Sequence, residues 1–130
     1  MNLDLVLLSG AYAVSRLKPG SPAPAWAGAG DFVSITLTPS ETSVVCLEDR
    51  VPKDVPSEKG FRALKVQGPL EFSLVGVLES MIGPLAEERI SVLAMSTFDT
   101  DYLLVREDAL ARAVEIFIRN GHNIILPEDK

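Results

Sequence analysis

Reactive side chains are scarce in this chain, and each scarcity removes a class of function. A single cysteine, Cys46, excludes an intrachain disulfide framework and any CxxC metal or redox pair. It lies between Val45 and Leu47 and reads as a small buried hydrophobe on a strand. The single histidine, His122, has no serine or cysteine nucleophile set beside it by a recognisable motif, so its role reads as structural and no enzyme activity is expected. Basic residues are outnumbered, 12 against 18 acidic ones, and the net charge is −6. Lysine and arginine form no stripe, so neither nucleic acid nor a membrane is an expected partner. No stretch approaches the roughly 20 apolar residues of a membrane span. Met1 to Leu8 is apolar but carries Asp4 and lacks a basic leader region, which leads to the expectation of a cytoplasmic protein. The one tryptophan, Trp26, reads as an anchor that pins a loop onto the core.

Apolar residues are plentiful, at 47 %, against 23 % charged, so the chain should fold as one domain, or as two very small ones sharing a core. Leu3 to Leu8 and Tyr12 to Leu17 read as strands, followed by an irregular crossover from Lys18 to Gly30 that is broken by Pro19, Pro22 and Pro24. Phe32 to Leu37 and Ser43 to Leu47 predict a hairpin turning over Thr38 to Thr42. Glu48 to Gly60 is charged, contains Pro52 and Pro56, and is expected to be loop with at most a short helix before a strand from Arg62 to Val66.

Beyond Gly68 and Pro69, a helix is expected to bury Leu74, Val75, Leu78, Met81, Ile82 and Leu85, with a kink at Pro84. Strands Ile90 to Met95 and Tyr102 to Arg106 then flank a polar knot, a helix runs from Glu107 to Arg119 and ends at Asn120 and Gly121, and His122 to Leu126 forms a last strand. From Arg62 on the order is strand, helix, strand, strand, helix, strand: an α+β, ferredoxin-like βαββαβ arrangement. The first half reads as the same unit with its helices eroded, giving modules at 1–60 and 61–130.

Two segments carry candidate chemistry. In Gln67 to Gly76, Gly68 permits close backbone approach at a strand end, and the helix start leaves amides around Leu70 to Leu74 without intrahelical acceptors. Such a corner can hold a carboxylate; its plainer reading is a strand-to-helix turn with water on those amides. In the polar knot, Asp99 and Asp101 project to one side if extended, beside the hydroxyls of Ser96 and Thr97, and would suit an ammonium or guanidinium group. Here the plainer reading is a hairpin turn closed by side chain to backbone bonds at Asp99 and Thr100. Two carboxylates without further ligands do not make a metal site, and AGAGD at Ala27 to Asp31 lacks the spacing of a phosphate loop.

The segments LKVQGPLEFSLVG and PLAEERISVLAMSTFDTDYLLVRE, with the upstream YAVSRL, PGSPAPAW and FVSIT, resemble the ACT domain family, in its cytosolic arginine sensor group and more distantly in the regulatory part of aspartate kinases. The resemblance implies a tandem ACT-like protein without cofactor, a homodimer that binds an amino acid or similar zwitterion between paired modules and passes its output to a separate effector protein. It further implies that Gly68, Pro69, Leu70, Glu71, Phe72, Ser73, Leu74, Val75 and Gly76 hold the carboxylate, and that the strand Ile90 to Ser96, with Ser91, Val92 and Ser96, forms a wall. Asp99 or Asp101 would meet the amine or a cationic side chain, with Thr97 also in the ligand-binding set. The chain departs from the common acidic-Pro-Gly pattern, since Gly68 precedes Pro69 and Glu71 follows. The alternative is a module that uses the same surface only for dimerisation or partner docking.

Overall fold

The computed structural model describes residues 1–28, 30–68 and 75–127. In chain order its elements are β1 (Asp4–Leu7), β2 (Tyr12–Leu17), β3 (Ser34–Leu37), β4 (Thr42–Leu47), β5 (Ser57–Val66), α1 (Val77–Glu87), β6 (Val92–Ser96), β7 (Asp101–Arg106), α2 (Leu110–Arg119) and β8 (Asn123–Ile125). Two compact units divide the chain: Met1–Ser9 with Arg62–Lys130, and Gly10–Phe61.

In the first unit, β5 to β8 follow the expected βαββαβ order, and the strands lie in the sequence β8-β1-β5-β7-β6. The N-terminal strand therefore sits between the first and last strands of the motif. It runs antiparallel to β5, with Leu5 opposite Val66 and Leu7 opposite Leu64, and parallel to β8, with Leu5 opposite Ile124. An unbroken apolar run from Leu5 to Leu8 suits a strand with neighbours on both sides. Alternation then sorts the sheet, because Leu5, Leu7, Leu64, Val66, Leu103 and Val105 all join one core with Val77, Met81 and Leu85 of α1 and Ala113, Ile116 and Phe117 of α2. Each such leucine or phenylalanine stabilises by about 1.5–3 kcal/mol through burial.

Both helices end in the same way. The amide of His122 donates to the Phe117 carbonyl (3.0 Å) and that of Gly121 to Ile118 (3.0 Å), the Schellman pattern, with Gly121 left-handed at φ 89°. At the end of α1, Ile90 donates to Leu85 (3.0 Å) and Arg89 to Ala86 (3.0 Å), but the left-handed position, φ 61°, is held by Arg89 rather than glycine. Glu88, beside it, accepts Arg112 at 3.1 Å and Arg119 at 2.9 Å from α2.

Helix α1 begins later than its apolar spacing predicts. Gly76 is left-handed at φ 82°, so helical geometry starts at Val77, and Val75 is 86 % exposed rather than on the buried face. Pro84 lies within α1 and supplies no amide to the Ser80 carbonyl four residues back. His122 fills that place. Its Nδ1 accepts the Leu3 amide (3.1 Å), which fixes the ring proton on Nε2, 3.2 Å from the Ser80 carbonyl. The histidine is 3 % exposed and joins the chain start, α1 and the α2–β8 junction, in agreement with its structural reading.

In the second unit, β2 pairs with β4 on one side and with the start of β5 on the other, and β3 pairs with β4 as the expected hairpin. The Thr38 hydroxyl closes that hairpin by accepting the amides of Ser40 and Glu41. Where a full ferredoxin unit has helices, the described residues of this segment form only 3-10 turns, at Ala25–Ala27 and Glu48–Arg50. Half-buried Trp26 packs on the core of Ala13, Ala27, Val44, Cys46 and Val51, consistent with an anchor. Glu48 to Gly60 is not all loop: Ser57 and Glu58 already pair with Ser15 and Val14, an edge that cross-strand pairing imposes on a charged, proline-flanked sequence. The Thr42 hydroxyl donates to the Ser21 carbonyl at 2.8 Å and ties the irregular crossover to β4.

Candidate functional site

The corner after β5 is built from a strand end and a helix mouth. Of the residues assigned to it, Pro69, Leu70, Glu71, Phe72, Ser73 and Leu74 lie outside the described residues. Gly68 is half-buried two residues after β5, and Val75 and Gly76 are exposed just before α1. Among the described residues no side chain caps α1, and its first intrahelical bond runs from the Ser80 amide to the Gly76 carbonyl at 2.9 Å. The amides of Val77, Leu78 and Glu79 thus lack acceptors within the helix. The helix that begins at Val77 places its open donors in this turn. Glu79 does not screen them, because its carboxylate folds back along the helix over Gly83, where an added Cβ would meet Oε1 at 2.5 Å.

The polar knot is the tip of the β6–β7 hairpin. Ser96 pairs with Asp101 in register, and the Ser96 hydroxyl donates to Asp101 Oδ1. Between them Thr97 closes the loop, since its amide and hydroxyl donate to the Thr100 carbonyl (2.8 and 3.1 Å) and its Oγ1 accepts the Thr100 amide (3.3 Å). The plainer reading therefore holds for part of the knot, with Thr97 rather than Asp99 as the closing side chain. Asp99 sits in the bend and is exposed, so the extended geometry that would align it with half-buried Asp101 is not formed. Ser91 is exposed just before β6, whereas Val92 packs against the core of the unit.

One residue outside the predicted set connects the two segments. The Thr100 hydroxyl, in a residue 4 % exposed, donates to the carbonyl of Val66 at 2.7 Å. Val66 is the last residue of β5, so the hairpin tip is bonded to the strand end from which the Gly68 corner departs. Spacing could not single out Thr100 from the other hydroxyls of the knot; only the β5–β7 pairing reveals it.

Two further concavities lie elsewhere. A cleft of about 250 Å³ in the first unit is lined by Glu79, Ser80, Glu87, Asn120 and His122 among others, and a groove of about 440 Å³ in the second by Arg16, Glu41, Ser43 and Glu58 among others. Neither of these includes a predicted site residue. Among the described residues no cluster of three or more histidine, cysteine, aspartate or glutamate side chains could hold a metal ion, and no helix is long and apolar enough to cross a membrane. Burial pushes the Cys46 thiol up from its usual range, against the lowering pull of the Arg50 guanidinium and with a smaller contribution from Asp49.

The β5–β8 motif, with two helices on one face of its sheet, defines an α+β protein of the ferredoxin type. The chain belongs to the ACT domain family: the profile of that family matches residues 56–119, and that of an N-terminal domain matches residues 10–54. It is 37 % identical over 101 residues to the cytosolic arginine sensor for mTORC1 subunit 1 of Homo sapiens, covering 72 % of this chain and 31 % of that protein. The Bos taurus counterpart is 31 % identical over 99 residues, with 68 % and 30 % covered. The chain thus spans about three-tenths of the length of the curated relatives it matches. A solved protein from Agrobacterium tumefaciens is 40 % identical, with a TM-score of 0.93 and coverage of 99 % of this chain and 96 % of the other. Aspartate kinase from Synechocystis shares the fold, with a TM-score of 0.69 at 15 % identity over 98 % of this chain and 28 % of the enzyme.

Proposed function

We propose that this protein is a non-catalytic regulatory module that binds an amino acid or similar zwitterion at an interface between ACT modules. The observation that supports the reading is the Thr100–Val66 bond, which joins an acidic hairpin tip to the strand end just before Gly68. In this reading the ligand carboxylate takes backbone donors of the Gly68–Gly76 corner and the first turn of α1. Its amine meets Asp101 or Asp99, with Ser91, Val92, Ser96 and Thr97 alongside. The relatives named as arginine sensors support an amino acid as the ligand class, without fixing which one. Segments 1–60 and 61–130 act as two ACT-like modules, the first without full helices, in a cytoplasmic homodimer that signals to a separate protein. Ligand coupling is limited by its differential affinity for the two module arrangements.

A thermal-shift screen against the common amino acids tests this. A ligand at a hundred times its dissociation constant stabilises by about 2.7 kcal/mol, a shift of several degrees. Asp101→Ala should abolish the response with folding intact, and Asp99→Ala should weaken it if that carboxylate takes part. A response indifferent to both changes moves the site elsewhere.

The alternative, a dimerisation or docking module without ligand, draws on β6. Among the described residues this strand pairs only with β7, and it exposes Leu93 and Ala94 without a lysine, arginine or proline to blunt its edge. Silence across the amino-acid panel, together with a dimer that Leu93→Lys dissociates, would favour it.

A further inference from the structure

We infer that the groove on the second unit is a further binding site, for the zwitterion of an amino acid with a small or medium apolar side chain. It lies apart from the site proposed above and does not depend on it. The groove measures about 440 Å³ and is lined by Val14, Arg16, Glu41, Ser43, Pro56 and Glu58 among others. That volume falls in the range of about 300–1,000 Å³ usual for small-molecule clefts. Ala13, Val44 and Cys46 face the core of this unit, so alternation sends Val14, Arg16 and Ser43 to the other face of the sheet. Register brings Glu58 to that face as well, opposite Val14.

Arg16 is held in the middle. It stands opposite Ser43 of β4, and its amide donates to the Pro56 carbonyl on the β5 side at 3.0 Å. Glu41 lies two positions before Ser43, and Glu58 two after Pro56, so a carboxylate flanks Arg16 diagonally on each side. Diagonal neighbours are within reach of long side chains. Even so, the side chains of Arg16 and Glu41 form no hydrogen bond or ion pair among the described residues. Glu41 is also half-buried, which makes its carboxylate the more costly to leave without a counter-charge.

The groove therefore holds a cation and an anion apart, with a hydroxyl beside the cation and apolar surface from Val14 and Pro56 next to both. A dipolar ligand completes this arrangement. Its carboxylate takes the forked donors of Arg16 and the Ser43 hydroxyl, its ammonium meets Glu41, and its side chain lies over Val14 and Pro56. With Glu58 on the rim, the lining carries two carboxylates against one guanidinium, so acidic amino acids are repelled.

The experiment titrates the ¹⁵N-labelled full chain with alanine and leucine, and with two leucine derivatives that each lack one charge: leucinamide without the carboxylate, and N-acetyl-leucine without the ammonium. Alanine or leucine should shift the amides of Val14, Arg16 and Ser43, and glutamate should not. Each derivative should bind about tenfold or more weakly than leucine, as should leucine to Arg16→Gln and to Glu41→Gln. If either variant fails to fold, the derivatives on wild type decide alone. Unmoved amides at all three positions with both alanine and leucine overturn the inference. So does a derivative that binds as well as leucine, or glutamate that binds as tightly. Shifts confined to Ser96, Thr97 and Asp101 overturn it too, while favouring the site proposed above; shifts confined to the groove uphold it and leave that other site to its own test.

Discussion

Removing the His122 imidazole should expose how α1 tolerates its internal proline. In His122→Ala the Leu3 amide loses its acceptor, and the Ser80 carbonyl, already deprived of a helical donor by Pro84, loses its side-chain partner. Each orphaned group costs about 1–3 kcal/mol. Losing the ring that meets Phe117 edge-on at 6.2 Å adds a packing term, for a total of about 3–5 kcal/mol. Against typical stabilities of about 5–15 kcal/mol this is severe, equivalent to a fall in melting temperature of roughly 10–20 °C. The sharper test is a double-mutant cycle in urea, followed by circular dichroism. Pro84→Ala returns an amide to the place four residues after Ser80, so it should stabilise the His122→Ala background by about 1 kcal/mol more than the wild-type background. Coupling within about 0.3 kcal/mol of zero would show that His122 does not substitute for the missing helical donor, and the account of α1 given above would fail.

Other perturbations follow from the same accounting. Ser15 is 1 % exposed and its hydroxyl has no hydrogen-bond partner among the described residues, so Ser15→Ala should stabilise by about 1 kcal/mol; destabilisation in a urea titration would show that the hydroxyl is bonded in solution. Arg89→Gly should relieve the left-handed backbone at φ 61° and raise stability by about 1 kcal/mol, and a loss would mean that the arginine side chain contributes more than its backbone costs. Because burial raises the folded Cys46 thiol above its unfolded value, its contribution is fully present below about pH 8.5 and falls away as pH rises toward the folded value. Wild type should therefore lose stability above that pH more steeply than Cys46→Ala, and parallel curves would contradict the burial argument.

Helical periodicity was sufficient where packing and capping agreed. Leu78, Met81, Ile82 and Leu85 marked the buried side of α1, and Asn120 with Gly121 marked the end of α2 through the same left-handed glycine that the structure uses. Periodicity misplaced Val75 because a left-handed Gly76 delays the helix, and backbone handedness leaves no trace in hydrophobic spacing. The end of α1 carried no glycine signal, since Arg89 occupies the strained position. Strand β5 starts at Ser57 because β2 pairs with it, a long-range effect that its prolines and charges conceal. In the site, the acidic tip and the glycine corner were both visible as segments. Their connection was not, because Thr100 and Val66 are separated by 34 positions and meet only through the order of the strands.

The placement of β1 has a consequence for biosynthesis. Asp4 stands in register with Asn123, 119 positions away, and both edges of β1 await strands made far later. Translation delivers this apolar segment well before its parallel neighbour, 119 positions further along. Until β5 and β8 are made, Leu5 to Leu8 remains a sticky, unmatched ribbon, and the slow step of folding should be its capture rather than closure of any local hairpin.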